Sequence, residues 1–373
     1  MRQTPMRLLI QPDDGVMPLI KGINSAKSSV EIAIFRFDHG EIEKALAHAV
    51  ARGVAVRALV AHTNRAGADN LRKLEMRLLD AGVTVARTDN GLARYHGKLV
   101  IVDRRELYLL AFNLTYADLE HSRSFGIVTR SRPLVREAAR LFEADSARSP
   151  YEPGLDAFVV SPANARKQLA SFIKGAKKQL LIYDPKISDS TMIRLLEERA
   201  GANVDVRIIG KVTHQASRLT SHKLRRWRLH TRTIVRDGRL AFIGSQSLRA
   251  IELDKRREIG IILRDARIIG RLLKVFEADW TELGAETAQG AGEPAVPAGK
   301  VARRAARVAV RELPSVAPVV DTVVRELAGT AGDVEINARA VEETVKEAVK
   351  EAVKEAVKDV VEEVADQYNG RTG

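Results

Sequence analysis

The chain has 373 residues, 45% of them hydrophobic, which is enough for one large core or two. It contains no cysteine, which excludes a disulfide framework and any thiolate nucleophile or thiolate metal site, and which is compatible with a reducing cytosol. The net charge of +13 is unevenly spread: residues 285–373 hold 12 basic and 16 acidic side chains, leaving 49 basic against 32 acidic in the residues before them, a balance suited to a polyanionic partner such as nucleic acid or an anionic lipid surface.

Along the chain, residues 1–20 carry Pro5, Pro12, Asp13, Asp14 and Pro18 and lack a run of seven apolar residues, so no secretory signal is expected. No eighteen-residue apolar segment is present, so no span is expected either. The expectation is a cytoplasmic protein that can sit peripherally on a membrane. Residues 30–35 and 54–60 read as apolar strands, and 41–52 between them as a helix with Ile42, Ala45, Leu46, Ala49 and Val50 on one face. The same grammar returns with strands at 180–183 and 204–209 around a helix at 190–200. Ile20-Lys21-Gly22 precedes the first unit and Ile173-Lys174-Gly175 the second.

Each unit leads to a closer repeat. Tyr95-His96-Gly97-Lys98-Leu99-Val100-Ile101-Val102-Asp103 is echoed, 134 residues on, by Leu229-His230-Thr231-Arg232-Thr233-Ile234-Val235-Arg236-Asp237. The offset holds for thirty residues and pairs Leu114 with Leu248, Arg123 with Arg257 and Gly126 with Gly260. Residues i and i+2 of a strand share a face, so His96 and Lys98 should project together. Residues 99–102 read as a strand buried on both faces, and Asp237-Gly238 as a hairpin turn. Each copy therefore reads as a strand carrying a histidine and a cation, a tight turn, and a second strand.

Helices at 135–145 and 272–280 close the two copies, and 146–154 reads as the hinge between them. The piece before the second copy is dense in charge: Arg218, His222, Lys223, Arg225, Arg226 and Arg228, with Trp227 among them. It reads equally as a solvated helix face or as a surface for a polyanion. Asp38-His39, His62-Asn64 and Asp184-Lys186 follow strands and read as rim residues or as ordinary polar loops. Residues 284–300 are rich in Gly, Ala and Pro and read as a linker. In the tail, 301–373, a Val-Lys-Glu-Ala unit recurs every four residues from 345 to 358, so its apolar stripe drifts around a solvated helix without forming a seam.

The paired motif resembles the phospholipase D superfamily, whose mark is two copies of H-x-K-x-x-x-x-D; the resemblance covers roughly residues 5 to 283. It implies an α/β fold of two pseudo-symmetric halves, 1–150 and 151–283, with mixed β-sheets flanked by helices and the histidines at the seam, followed by the helical or partly disordered tail. It also implies phosphodiester hydrolysis or phosphatidyl transfer through a phosphohistidine, with no metal and no cofactor. One histidine attacks phosphorus, the other protonates the leaving alcohol and then activates the incoming water or alcohol, and the cations hold the phosphoryl oxygens.

Carried over, the resemblance points to His96, Lys98, His230, Arg232 and Glu258 as catalytic residues and to Asp103, Asn113, Asp237, Ser245 and Ser247 as their support. His96, beside Lys98 and supported across the halves by Glu258, is the expected nucleophile, and His230 the acid/base. The departures are specific. Arg232 stands where the family has lysine, and it offers a planar fork of different reach. The family's G-S-x-N element is split: Gly244-Ser245 is followed by Ser247, while Asn113 is preceded by Leu110-Ala111. Ser124 occupies the place that corresponds to Glu258, with Asp118 and Glu120 the nearest replacements. A phospholipid is the first expectation for the substrate. The rivals are a phosphodiester nuclease and a non-catalytic module that binds anionic lipid or nucleic acid. The sequence leaves the oligomeric state open.

Overall fold

The computed structural model describes residues 6–62, 69–88, 91–213 and 219–289. The tail read at 301–373 lies outside them. In chain order the first half runs β1 (Met6–Gln11), α1 (Met17–Ser25), β2 (Ser29–Ile34), α2 (Gly40–Ala51), β3 (Ala55–Val60), α3 (Asp69–Asp80), β4 (Thr84–Arg87), β5 (Arg94–Tyr95), β6 (Leu99–Val102), β7 (Glu106–Leu110), α4 (Tyr116–Glu120), β8 (Ser122–Thr129) and α5 (Arg132–Ser146). The second half runs β9 (Phe158–Val160), α6 (Ala165–Lys174), β10 (Gln179–Ile187), α7 (Ser190–Gly201), β11 (Asp205–Val212), β12 (Thr220–His222), β13 (Arg228–Leu229), β14 (Arg232–Arg236), β15 (Leu240–Gly244), α8 (Ala250–Asp254), β16 (Arg256–Arg257), β17 (Ile259–Leu263) and α9 (Ala266–Gln289). α9 covers the first residues of the segment read as a linker.

The two sheets repeat one plan. The first is ordered β1-β8-β7-β6-β2-β3-β4 and the second β9-β17-β15-β14-β10-β11-β12. In each, the βαβ unit expected from the sequence supplies one parallel pair, β2 with β3 and β10 with β11, and β4 and β12 extend it in parallel. The motif strands β6 and β14 run antiparallel beside β2 and β10. Leu99 to Val102 are all buried, as their continuous apolar run predicts. β1 and β9, both absent from the sequence reading, each close one sheet edge by antiparallel pairing with β8 and β17.

Two short ladders cross between the halves, and they obey the 134-residue repeat. β16 pairs in parallel with β5, Arg256 opposite Arg94, and β13 pairs in parallel with β8, Arg228 opposite Ser122. Around the crossings lies a continuous core in which Tyr183 meets Phe125 and Phe276 edge-on at 5.5 and 5.1 Å. Matched ion pairs pin the seam: buried Arg123 holds Asp279 at 3.0 Å, and its repeat mate Arg257 holds Asp145 at 3.0 Å. The two halves accordingly belong to one compact unit, Met1–Gln289.

Two local readings are corrected. His96, Gly97 and Lys98 lie between β5 and β6, and His230 and Thr231 between β13 and β14, so neither histidine is inside a strand. The cause is the crossing: the N–H of His96 donates to the carbonyl of Arg257 and that of His230 to Arg123, partners from the other half. The basic piece before the second motif, apart from Arg218, which lies outside the described residues, holds the short strands β12 and β13 joined by irregular, bent backbone, and it presents no helical face. Among the described residues, no helix is long and apolar enough to cross a membrane.

Candidate active site

The crossings decide which side chains meet. Each leads its chain into the seam and delivers a histidine next to a carboxylate of the opposite half. Gly97 lets the first crossing run close to the opposite half: a Cβ there would stand 2.5 Å from Cδ1 of Ile259, the residue after Glu258, and would displace that side chain. The hydroxyl of Ser245 accepts the N–H of Ile259 at 3.1 Å, and the Ser245 N–H donates to the Ile259 carbonyl at 3.0 Å. Ser245 thus braces the start of β17, next to Glu258, without touching the histidines by any hydrogen bond.

His96 is buried, with Nδ1 2.7 Å from Oε2 of fully buried Glu258. Lys98, also buried, places Nζ 2.9 Å from Nδ1 and 2.8 Å from Nε2 of the same ring. Phe35 closes the other side, its ring edge-on to the imidazole at 4.7 Å. Burial comes first among the causes that hold His96 well below the ordinary imidazole range, followed by the charges of Lys98 and Arg232. Burial pushes Glu258 up to about 7, against the pull of Lys98 and Arg232. Burial also lowers Lys98 well below the usual ammonium range, opposed by Glu258.

The second copy is arranged differently. Arg232 donates through Nε to the Ser247 hydroxyl at 3.0 Å and through Nη1 to the carbonyl of His230 at 2.8 Å, and its Nη2 lies 4.0 Å from Oε2 of Glu252. Glu252 is itself held by the Ser247 N–H at 2.8 Å and by Arg249 and Arg256 at 3.2 Å each. The short serine where the family has asparagine leaves its oxygen within reach of the longer guanidinium.

His230 Nδ1 lies 3.1 Å from Oδ2 of Asp118, a charge contact whose angle makes no hydrogen bond. Asp118 accepts both the N–H and the Nδ2 of Asn113 at 2.7 Å and pairs with Arg228. Burial holds His230 well below the usual range, reinforced by Arg232, Arg228, Lys98 and His96. Those mutual influences place both motifs in one electrostatic cluster.

Ser124 is fully buried with its hydroxyl unpartnered, and Glu120 is exposed. Asp103 and Asp237 stand at the far end of the motif strands from the histidines. Asp103 accepts the backbone N–H groups of Lys27, Ser28 and Ser29, and Asp237 those of Lys177, Lys178 and Gln179. Both sit in left-handed turns, at φ 52° and 54°, and both tie a hairpin to the start of the neighbouring strand. Glu252, Arg256 and the fully buried Asp184, whose carboxylate accepts the Leu248 N–H at 2.8 Å, were not singled out as catalytic or supporting residues. The repeat could have found Glu252, since it stands 134 residues after Asp118. Of the rim residues, His39 is buried against Tyr116, with ring centroids 4.2 Å apart.

The model of the family described as cardiolipin synthase, PLD-like domain, matches residues 19–146 and 169–280. A mitochondrial cardiolipin hydrolase of Danio rerio is 28% identical over 130 residues, 34% of this chain, which spans 56% of that curated relative. Among solved structures, the polyphosphate kinase of Porphyromonas gingivalis aligns with a TM-score of 0.62 at 17% identity, over 74% of this chain and 50% of that one. The phosphatidylserine synthase of Haemophilus influenzae Rd KW20 aligns with a TM-score of 0.57 at 12% identity, over 74% and 86%. At such identities the structural likeness establishes the fold. With two matched segments over more than half its length, the paired histidine crossings and the doubled sheet, the chain belongs to the phospholipase D superfamily, in its cardiolipin synthase-like branch.

Proposed function

We propose that this chain is a metal-independent phosphodiesterase or phosphatidyltransferase acting on phospholipid through a phosphohistidine on His96. The observation that carries the reading is the buried His96–Glu258 contact of 2.7 Å with Lys98 against the same ring. Ionised Glu258 accepts the Nδ1 proton, which fixes the tautomer and leaves the Nε2 lone pair for phosphorus. A phosphodiester entering the seam draws Lys98 from Nε2 onto a phosphoryl oxygen, and Arg232 holds a second. The anionic substrate also favours protonation of His230. The Nε2–phosphorus bond forms as the phosphorus–oxygen bond to the alcohol breaks, and the departing oxygen takes its proton from His230. In the second step His230 removes a proton from water or an acceptor alcohol, whose oxygen displaces Nε2.

The phospholipid assignment draws on the family description and on the cardiolipin hydrolase relative. The nuclease reading has one observation in its favour, the exposed Lys223, Arg225 and Arg226 beside half-buried Trp227. A single comparison separates the readings: purified protein in chelator, offered phospholipid vesicles and single-stranded DNA in parallel. The expected result is alcohol release from the vesicles at a rate that chelation leaves unchanged. DNA cleavage alone replaces the substrate class, activity restored only by a divalent ion overturns the mechanism, and binding without turnover of either leaves a non-catalytic module.

A further inference from the structure

We infer that Asp118 is the positioning residue of His230, having taken over the place that position 124 vacated; the inference rests on the acid/base role proposed for His230. Three observations meet at this point. Position 124, the repeat mate of Glu258, is a buried serine whose hydroxyl has no partner, so the aligned route to the imidazole carries no carboxylate. His230 Nδ1 is buried and makes no hydrogen bond, a state that calls for an explanation in a folded protein. The carboxylate beside it, at 3.1 Å, belongs to Asp118.

Asp118 is built to stay where it is. It is buried, at 2% exposure, on α4, with Thr115 capping that helix through the Asp118 N–H. Both donors of Asn113 hold Oδ2, and Arg228 holds Oδ1, so the carboxylate is fixed by residues from both halves. The residue related to it by the repeat, Glu252, accepts the Ser247 N–H as Asp118 accepts that of Asn113, but its neighbours differ. Arg249 and Arg256 hold Glu252 at 3.2 Å, with Arg232 at 4.0 Å, while His96 has Glu258. The carboxylate at this site therefore accepts the matched backbone N–H and meets arginine in both halves, and in the first it also stands against an imidazole. The cross-half rule survives, since Asp118 belongs to the first half and His230 to the second. Contacts of this kind are often misaligned in an empty site and tighten with substrate, and a small rotation of the imidazole suffices to align Nδ1–H with Oδ2. Aligned, Asp118 leaves Nε2 to carry the proton to the leaving oxygen.

The test uses the full chain and two diesters, one with an alkyl alcohol as leaving group and one with a nitrophenolate that needs no proton. Asp118→Asn keeps the shape and can still accept from Asn113. The expected result is a loss of at least about tenfold in kcat on the alkyl diester, the low end of a general acid's contribution. KM and the nitrophenolate burst, which reports adduct formation on His96, should be unchanged. Ser124→Glu added to Asp118→Ala should restore part of the lost kcat by rebuilding the aligned carboxylate. An equal loss in both reactions makes Asp118 merely structural and overturns the inference, as does no loss in either. Should the double variant fail to fold, the split between the two substrates in Asp118→Asn still decides. A wild-type chain that turns over neither diester sinks the proposed function, and this inference with it.

Discussion

The two halves share a strand order, a turn aspartate and a crossing, yet they treat their histidines differently. In the first, His96 has a lysine at its ring and a glutamate in hydrogen-bond contact from across the seam. In the second, the arginine of the motif is tied to Ser247 and to the His230 carbonyl, and the carboxylate beside His230 comes from a non-aligned position. The scaffold tolerates this because the backbone crossings, the shared core and the matched ion pairs hold the halves together without these side chains. A repeat can thus keep one fold while its copies surround their histidines differently.

That division predicts a steep order of effects. His96→Ala should abolish both adduct and turnover, whereas His230→Ala should slow turnover and still leave adduct with an activated diester; rapid-quench kinetics on both variants distinguishes the copies. Glu258→Gln should cost on the order of 10³–10⁴ in kcat, as expected when a histidine loses its tautomer-fixing carboxylate. Because burial raises Glu258 to about 7, its ionised form exists mainly above that pH. Adduct formation with an activated diester should therefore fall as pH drops through about 7. The Gln variant should lack that limb.

Arg232→Ala should lower kcat by about a hundredfold or more, the cost of one lost oxyanion donor. Arg232→Lys should retain part of the activity, and adding Ser247→Asn should recover more, since the two departures from the family pattern meet at 3.0 Å. Steady-state kinetics of the single and double variants reads the coupling; strictly independent effects would mean that the two replacements are unrelated. The smallest effect on activity belongs to the turn aspartates. Asp103→Ala and Asp237→Ala each strand backbone donors at a strand start, so thermal unfolding should come at lower temperature while kcat of the folded protein stays near wild type.

How much of this was legible follows from what kind of interaction set each feature. The parallel βαβ units, the buried run 99–102 and the Asp-Gly hairpin were readable because local pattern and periodicity fix them. The place of Glu258 beside His96 was legible too, through the family resemblance and not through the repeat. The crossings were not, because the ladder at Arg94–Arg256 joins residues 162 apart and leaves no local period. They also explain why the strand expected to include His96 stops short of it. Asp118 could be named only as one of two replacements, since choosing between it and Glu120 depends on which side of α4 faces the seam. Asp103 and Asp237 belong to the motif in sequence but to the hairpins in space. A conserved-looking spacing cannot separate these two kinds of support.

The central claim, that His96 is the nucleophile and His230 its acid, is tested most directly by acid-quenching the full chain during turnover of a labelled phosphodiester and mapping the labelled residue. The account predicts a phosphoryl adduct on His96 that persists in His230→Ala with an activated leaving group. An adduct on His230, or none on either histidine during active turnover, would contradict it.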